Sequence, residues 1–364
     1  MQDTRLFSFL ATLSKSERRE LRKFIASPFF NQRQDVIDLL DFIAEQELLL
    51  NQTPAKQEIF AKLYGNHLPF DDHRVRMAMS FLTRLIEQFL AHKAFFQDEI
   101  KVKTKLAEAL HQRNQPKHFE RLVRETKASL QASPWRNADF FDNEFQIQLL
   151  EYRHDATLRR TAGQDLQALA DQSDLAFFAQ KLRLTCMLLT HQAVFKTDLR
   201  FGLLDEILAY VQAKGWLELP AIAVYFHCYH ALTQPHEAQH FLHFKRCLTE
   251  QDEQFPPAEI TDLYLLAINF CIKRYNEGSH EYLRDELDLY KEGLRKNYFL
   301  QNGALSRFTF RNIVTVGLVM QEFEWVENFI RTFSERLEPQ FRESMVSFNL
   351  ARLELERRNF SAAL

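Results

Sequence analysis

Glycine and proline are scarce in this chain, at 8 and 10 of 364 residues. Together they average roughly 12% of a typical protein. Hairpins, sheet corners and phosphate-cradling loops rely on them to turn the backbone, so a largely β protein is excluded. No two glycines lie closer than ten residues apart, which also removes the dinucleotide fingerprint, the P-loop and the nucleophile elbow. Four cysteines are too few for a disulfide framework in a chain of this length. Long apolar runs are missing as well. The longest uncharged stretch, Leu219 to His236, contains Pro220, His227, His230, Gln234 and Pro235, and is too polar to insert in a membrane. The first twenty residues carry Asp3 and no small-residue cleavage site, so no signal peptide is read and a cytoplasmic location is expected. Neither sign of charge dominates: 46 Lys and Arg against 49 Asp and Glu leave a net of −3, which argues against general nucleic-acid binding.

Phenylalanine, by contrast, is abundant, at 34 residues. Many large apolar wedges with few turns predict an all-α protein of long helices packed through aromatic side chains. Residues 1–97 read as an N-terminal helical module. Ser14-Lys15-Ser16-Glu17 is a capping box opening a helix that stops before Pro28. Asp35 opens a second helix, Thr53-Pro54 a third that ends near Gly65, and Asp71 or Asp72 a long fourth.

Beyond residue 98 the pattern becomes one of helix pairs. Cys186, Cys228, Cys271, Val314 and Ala351 each sit in the middle of an apolar helix and follow one another at 42, 43, 43 and 37 residues. Aromatic–leucine pairs recur in the helices between them, at Phe244–Leu248, Tyr290–Leu294 and Phe333–Leu337. A period near forty built from two helices predicts an α-solenoid of about seven pairs over residues 98–364, the last incomplete. Cys186, Cys228 and Cys271 are then small packing residues where successive first helices touch.

The final unit carries a resemblance. Leu350-Ala351, then Phe360, then Ala363 thirteen residues after Leu350, is similar to the opening of a tetratricopeptide repeat (TPR). The resemblance implies a right-handed solenoid of TPR-like hairpins, without cofactor, that acts as a non-enzymatic scaffold and holds a protein or peptide in its concave groove. By that register Asn269, Asn312 and Asn349 form an asparagine ladder along the groove. Side-chain amides both donate and accept, so a ladder can pair with any extended peptide backbone. Arg183, Tyr225, Tyr229, Tyr275, Asn276 and Arg311 would line the same wall. A solenoid also needs a polar cap, so the apolar face near Leu350, Leu353 and Leu355 is expected to meet a continuing chain, a partner or a second copy.

Two other chemistries have sequence signals. His236-Glu237-Ala238-Gln239-His240 spells H-E-x-x-H, the zinc-hydrolase pattern in which two histidines on one helical face hold the metal and the glutamate activates water. Pro235 places it in a first helical turn, and His243 and Arg246 stand where the metzincin extension needs glycine and histidine. Residues 101–127 carry net charge +5, and Arg74, Arg76 and Arg84 share one long helix of the N-terminal module. A DNA-associated regulator is the function those arginines would serve, although no reading motif accompanies them.

Overall fold

The computed structural model describes residues 5–50, 53–158, 166–196 and 199–360. Seventeen α-helices account for nearly all of this, so the protein is all-α as expected. It divides into two compact units, Met1–Ala109 and Leu110–Leu364, a boundary lying beyond the one read at residue 97.

The first unit holds α1 (Arg5–Thr12), α2 (Lys15–Ala26), α3 (Gln34–Leu50), α4 (Lys56–Tyr64) and α5 (Asp72–Gln97); the boundary falls within α6 (Glu99–Gln112). Its starts and stops follow local chemistry. The Ser14 hydroxyl accepts from the Glu17 N–H at 3.2 Å, and the Glu17 carboxylate accepts from the Ser14 N–H at 2.9 Å, closing the capping box. The turn after α2 is fixed by Asn31, a buried side chain whose amide donates to the Ile25 and Arg33 carbonyls and accepts from the Arg33 N–H. Gly65 ends α4 at φ 88°, and Asp71 caps α5. The start of α4 differs from expectation: its cap is Ala55, because Glu58 reaches back to the Ala55 N–H at 2.7 Å. The core gathers Leu21 and Ile25 of α2, Val36, Leu39 and Ile43 of α3, and Val75, Leu82, Leu85 and Ile86 of α5.

The second unit continues with α7 (Pro116–Ala132), α8 (Ala138–Leu158), α9 (Leu166–Phe195), α10 (Leu204–Ala213), α11 (Pro220–Thr233) and α12 (Ala238–Glu250). It then runs through α13 (Pro257–Asn276), α14 (Tyr282–Arg295), α15 (Arg307–Val319), α16 (Phe323–Phe333) and α17 (Pro339–Glu356). Proline opens α7, α11, α13 and α17, where its missing N–H costs nothing and its fixed φ suits a first turn. The most extensive contacts are in the sequential pairs α8/α9, α11/α12 and α13/α14, followed by α9/α11, while α15, α16 and α17 touch one another to a similar, smaller extent. Between pairs, α9 meets α11, α12 meets α13, α14 meets α15, and α17 lies on both α15 and α16. Of the aromatic–leucine positions, Phe244, Leu248, Tyr290, Leu294 and Leu337 are in the core, whereas Phe333 is only half-buried.

Cys186, Cys228, Cys271 and Val314 are completely buried. Cys186 of α9 donates its thiol to the Tyr225 carbonyl of α11 at 3.3 Å and abuts Cys228, so these two small residues sit where helices of adjacent pairs touch; with α8 paired to α9, α9 is the second helix of its pair rather than the first. One small sheet was not foreseen. Leu300–Gln301 pairs antiparallel with Ala304–Leu305 around Asn302 and Gly303, both at positive φ, as a two-residue hairpin turn requires.

Candidate functional site

A buried polar junction joins four helices of the second unit. Its centre is Glu259, in the first turn of α13 and only 6% exposed. One carboxylate oxygen accepts from the Tyr225 hydroxyl at 2.6 Å, and the other from the Asn137 amide at 2.7 Å. The Arg183 guanidinium of α9 lies 3.6 Å from Glu259 and 3.3 Å from Asp139 at the start of α8. Nearby, the Arg136 N–H donates to the Gln254 carbonyl at 2.7 Å, a second tie between the same two stretches of chain. Burial, then the neighbouring Glu259, push the Tyr225 phenol far above its ordinary range, so it acts purely as a donor. A buried carboxylate with every oxygen partnered is stable where it stands and costly to disturb. Sequence reasoning selected Arg183 and Tyr225 but missed Glu259 and Asn137, which make sense of both. The only signal lay in two polar residues placed beside helix-opening positions.

Several groove assignments therefore need correction. Tyr225 is 3% exposed and faces Glu259 rather than a groove. Asn349 is fully buried: its amide donates to the Met345 carbonyl one turn back at 2.7 Å, and its carbonyl oxygen has no partner. Asn312 is half-buried and lies beside Tyr290 of α14. Only Asn269 of the three is exposed, so the three amides do not form one accessible row. Spacing alone did not reveal that a residue two before a small apolar one can itself be buried, as Asn349 is. Asn276 and Arg311 are exposed, and Tyr229 and Tyr275 are half-buried with Tyr275 against His280. At the last described helix Leu353 is buried, Leu350 half-buried and Leu355 exposed; Ala363 and Leu364 lie outside the described residues.

The H-E-x-x-H reading is overturned by where α12 begins. His236 lies in the turn after Pro235 and Glu237 is the cap residue, so only His240 is on the helix and the two histidines share no face. Among the described residues no three His, Cys, Asp or Glu side chains are arranged to hold a metal ion. The histidines of this region pack instead on each other. His227 stacks on His243, His230 stacks on His240, and His227 Nδ1 lies 3.4 Å from His240 Nδ1. Burial first, then the other three imidazoles, push the His227 pKa down to about 4.

Several of the basic residues offered to DNA already have partners. Arg76 pairs with Asp72 at 2.9 Å, Arg74 with Asp71 at 3.6 Å, and Arg84 lies over the Phe81 ring. In the 101–127 stretch Lys103 pairs with Glu99, Lys105 with Glu108, Arg121 with Glu125 and Lys127 with Glu151. No helix among the described residues is long and apolar enough to cross a membrane. The chain matches no family model, no curated protein and no solved structure.

Proposed function

We propose that the second unit is a TPR-like solenoid of helical hairpins serving as a non-enzymatic scaffold for a protein or peptide partner. The observation that supports this reading is the contact between α9 and α11, helices of adjacent pairs, through the small residues Cys186 and Cys228, which stand 42 residues apart. Stacked hairpins of that kind leave one face of each first helix free for a ligand. On this reading Asn269, Asn276 and Arg311, all exposed, with Tyr229 and Tyr275 beside them, form the accessible part of the groove. Arginine and tyrosine are the side chains that most often anchor interfaces, and an exposed amide suits a peptide backbone. Arg183 and Tyr225 hold the wall in place instead of touching the ligand.

The test is a random peptide library displayed on phage and selected on the full chain. Selected peptides should lose about ten-fold or more in affinity for Asn269→Ala/Arg311→Ala, equivalent to roughly 1.4 kcal/mol. That variant should unfold at the wild-type urea concentration. Peptides that bind the double variant as tightly as wild type would remove this surface from the reading.

A further inference from the structure

The α11–α12 pair concentrates four imidazoles, His227 and His230 from one helix and His240 and His243 from the other. His227 and His243 lie face to face with centroids 4.8 Å apart and planes 24° apart. His230 and His240 do the same at 4.5 Å and 20°. Stacked rings direct their in-plane lone pairs alongside one another instead of toward a common point, which is poor geometry for a metal. The His227–His240 approach of 3.4 Å between Nδ1 atoms is a hydrogen bond only if one nitrogen donates and the other is a bare acceptor. At least one of the two rings is then neutral. Phe226, 4.5 Å from the His230 centroid, supplies a further apolar surface.

Charged neighbours do little to offset a proton here. Glu237 sits 3.6 Å from His240 Nε2, but its side chain is 64% exposed. Arg246, Cys247 and Glu250 of α12 share a cavity of about 120 Å³ with His227 and His243, and Arg246 already pairs with Glu250 at 3.0 Å. The 3-10 turn Trp216–Glu218 packed on α11 carries Glu218, which is exposed. Helix α9 meets α11 through Cys186, and its Arg183 is taken up by Glu259 and Asp139. Helix α13 meets α12 through Phe270, stacked on Phe241, and its Arg274 pairs with Glu277. Lys245 of α12 is held by Asp285 and Asp288 of α14, and Asp252, just past α12, by Lys296 and Tyr298.

We propose that the α11–α12 hairpin, with its four stacked imidazoles, is an acid-released latch, closed while His227 and His240 are neutral and opened as they take up protons. The sign follows from proton counting. His227 binds its proton more weakly folded, at about 4, than in an open chain, at 6.5. The stability contributed by the neutral stack is therefore complete above pH 6.5 and drains away as pH falls toward 4. Because α11 meets α9 and α12 meets α13, opening this pair would part the hairpins on either side of it.

Hydrogen exchange of the full chain at pH 7.5 and pH 5.0, corrected for intrinsic rates, tests the latch. Exchange across 220–250 should rise about ten-fold or more on acidification, as one pKa unit of differential proton binding requires. Helices α15 and α16 should stay at their neutral-pH rates. His243→Gln, at an exposed position, should cut the acid-induced rise at least three-fold, and His227→Phe, which keeps a ring in the stack, should cut it further. If His227→Phe fails to fold, His243→Gln alone decides. A uniform rise over the whole second unit, no rise at all, or wild-type behaviour in His243→Gln would overturn the proposal. Equimolar zinc that protects 220–250 at pH 7.5 relative to EDTA would overturn it too, since the rings would then have to unstack to converge.

Discussion

The Tyr225 hydroxyl donates to Glu259 over 2.6 Å, joining α11 to α13 in a place that water hardly reaches. Removing the hydroxyl leaves one carboxylate oxygen short of its donor, whereas removing the carboxylate strands both the phenol and the Asn137 amide. Tyr225→Phe should cost about 1–3 kcal/mol in urea unfolding, and Glu259→Leu should cost more. A double-mutant cycle should return a coupling of about 1 kcal/mol or greater. Strict additivity would mean that the pair is a bystander.

Two helical glycines are held by contact rather than by backbone shape. A Cβ on Gly293 would overlap the Phe299 ring, and one on Gly317 would overlap Val326. An alanine ordinarily favours a helix interior by about 1 kcal/mol over glycine. Here overlap should win, and Gly293→Ala and Gly317→Ala should each destabilise by about 1–3 kcal/mol in thermal or urea unfolding. Gly202, with open space around it, provides the control: its alanine variant should be neutral.

Glu286 of α14 is 4% exposed, and burial alone raises its pKa to about 7 from 4.5. Its folded form prefers the proton, so its contribution is full below pH 4.5 and is lost as pH rises through 7. Glu286→Gln, which imitates the protonated carboxyl, should stabilise the chain by roughly 1–3 kcal/mol at pH 8 and hardly at all at pH 5. Urea midpoints at the two pH values measure this directly; equal effects at both would place the carboxyl in contact with water.

Thiol labelling should find a quiet protein. Cys186, Cys228 and Cys271 are buried, and burial pushes the half-buried Cys247 thiol up to about 11 from 9. Its thiolate fraction at pH 8 is thereby reduced about 100-fold, and labelling should slow in proportion. Rapid reaction of two or more thiols in native protein would show that α11 or α9 opens readily.

Much of this architecture was legible in the sequence because its signals are local. The capping box at Ser14, the stop at Gly65 and the buried faces at Phe241, Phe244 and Leu248 depend on residues within one or two helical turns of each other. Asn302-Gly303 was legible too, as a two-residue turn between Leu300 and Leu305, but it is easily passed over in a chain so poor in strands. What the periodicity could not reveal was which way a polar residue beside the packing slot turns. Asn269 and Asn349 each stand two residues before a small apolar residue, Cys271 and Ala351, yet one is exposed and the other is completely buried. Asn137 could be read as the cap of α8, since its side chain accepts from the Phe140 N–H, but its pairing with Glu259 is marked by nothing close to either residue in the chain.

Those last two residues are 122 positions apart. Each helical pair between them can form from contacts with adjacent chain, quickly and while synthesis is still under way. Asn137, just before α8, must wait for the Glu259 carboxylate until α13 has left the ribosome. The junction is thus a late closure, and a chain halted before Glu259 would hold Arg183 and Tyr225 together with the carboxylate that satisfies them still to come.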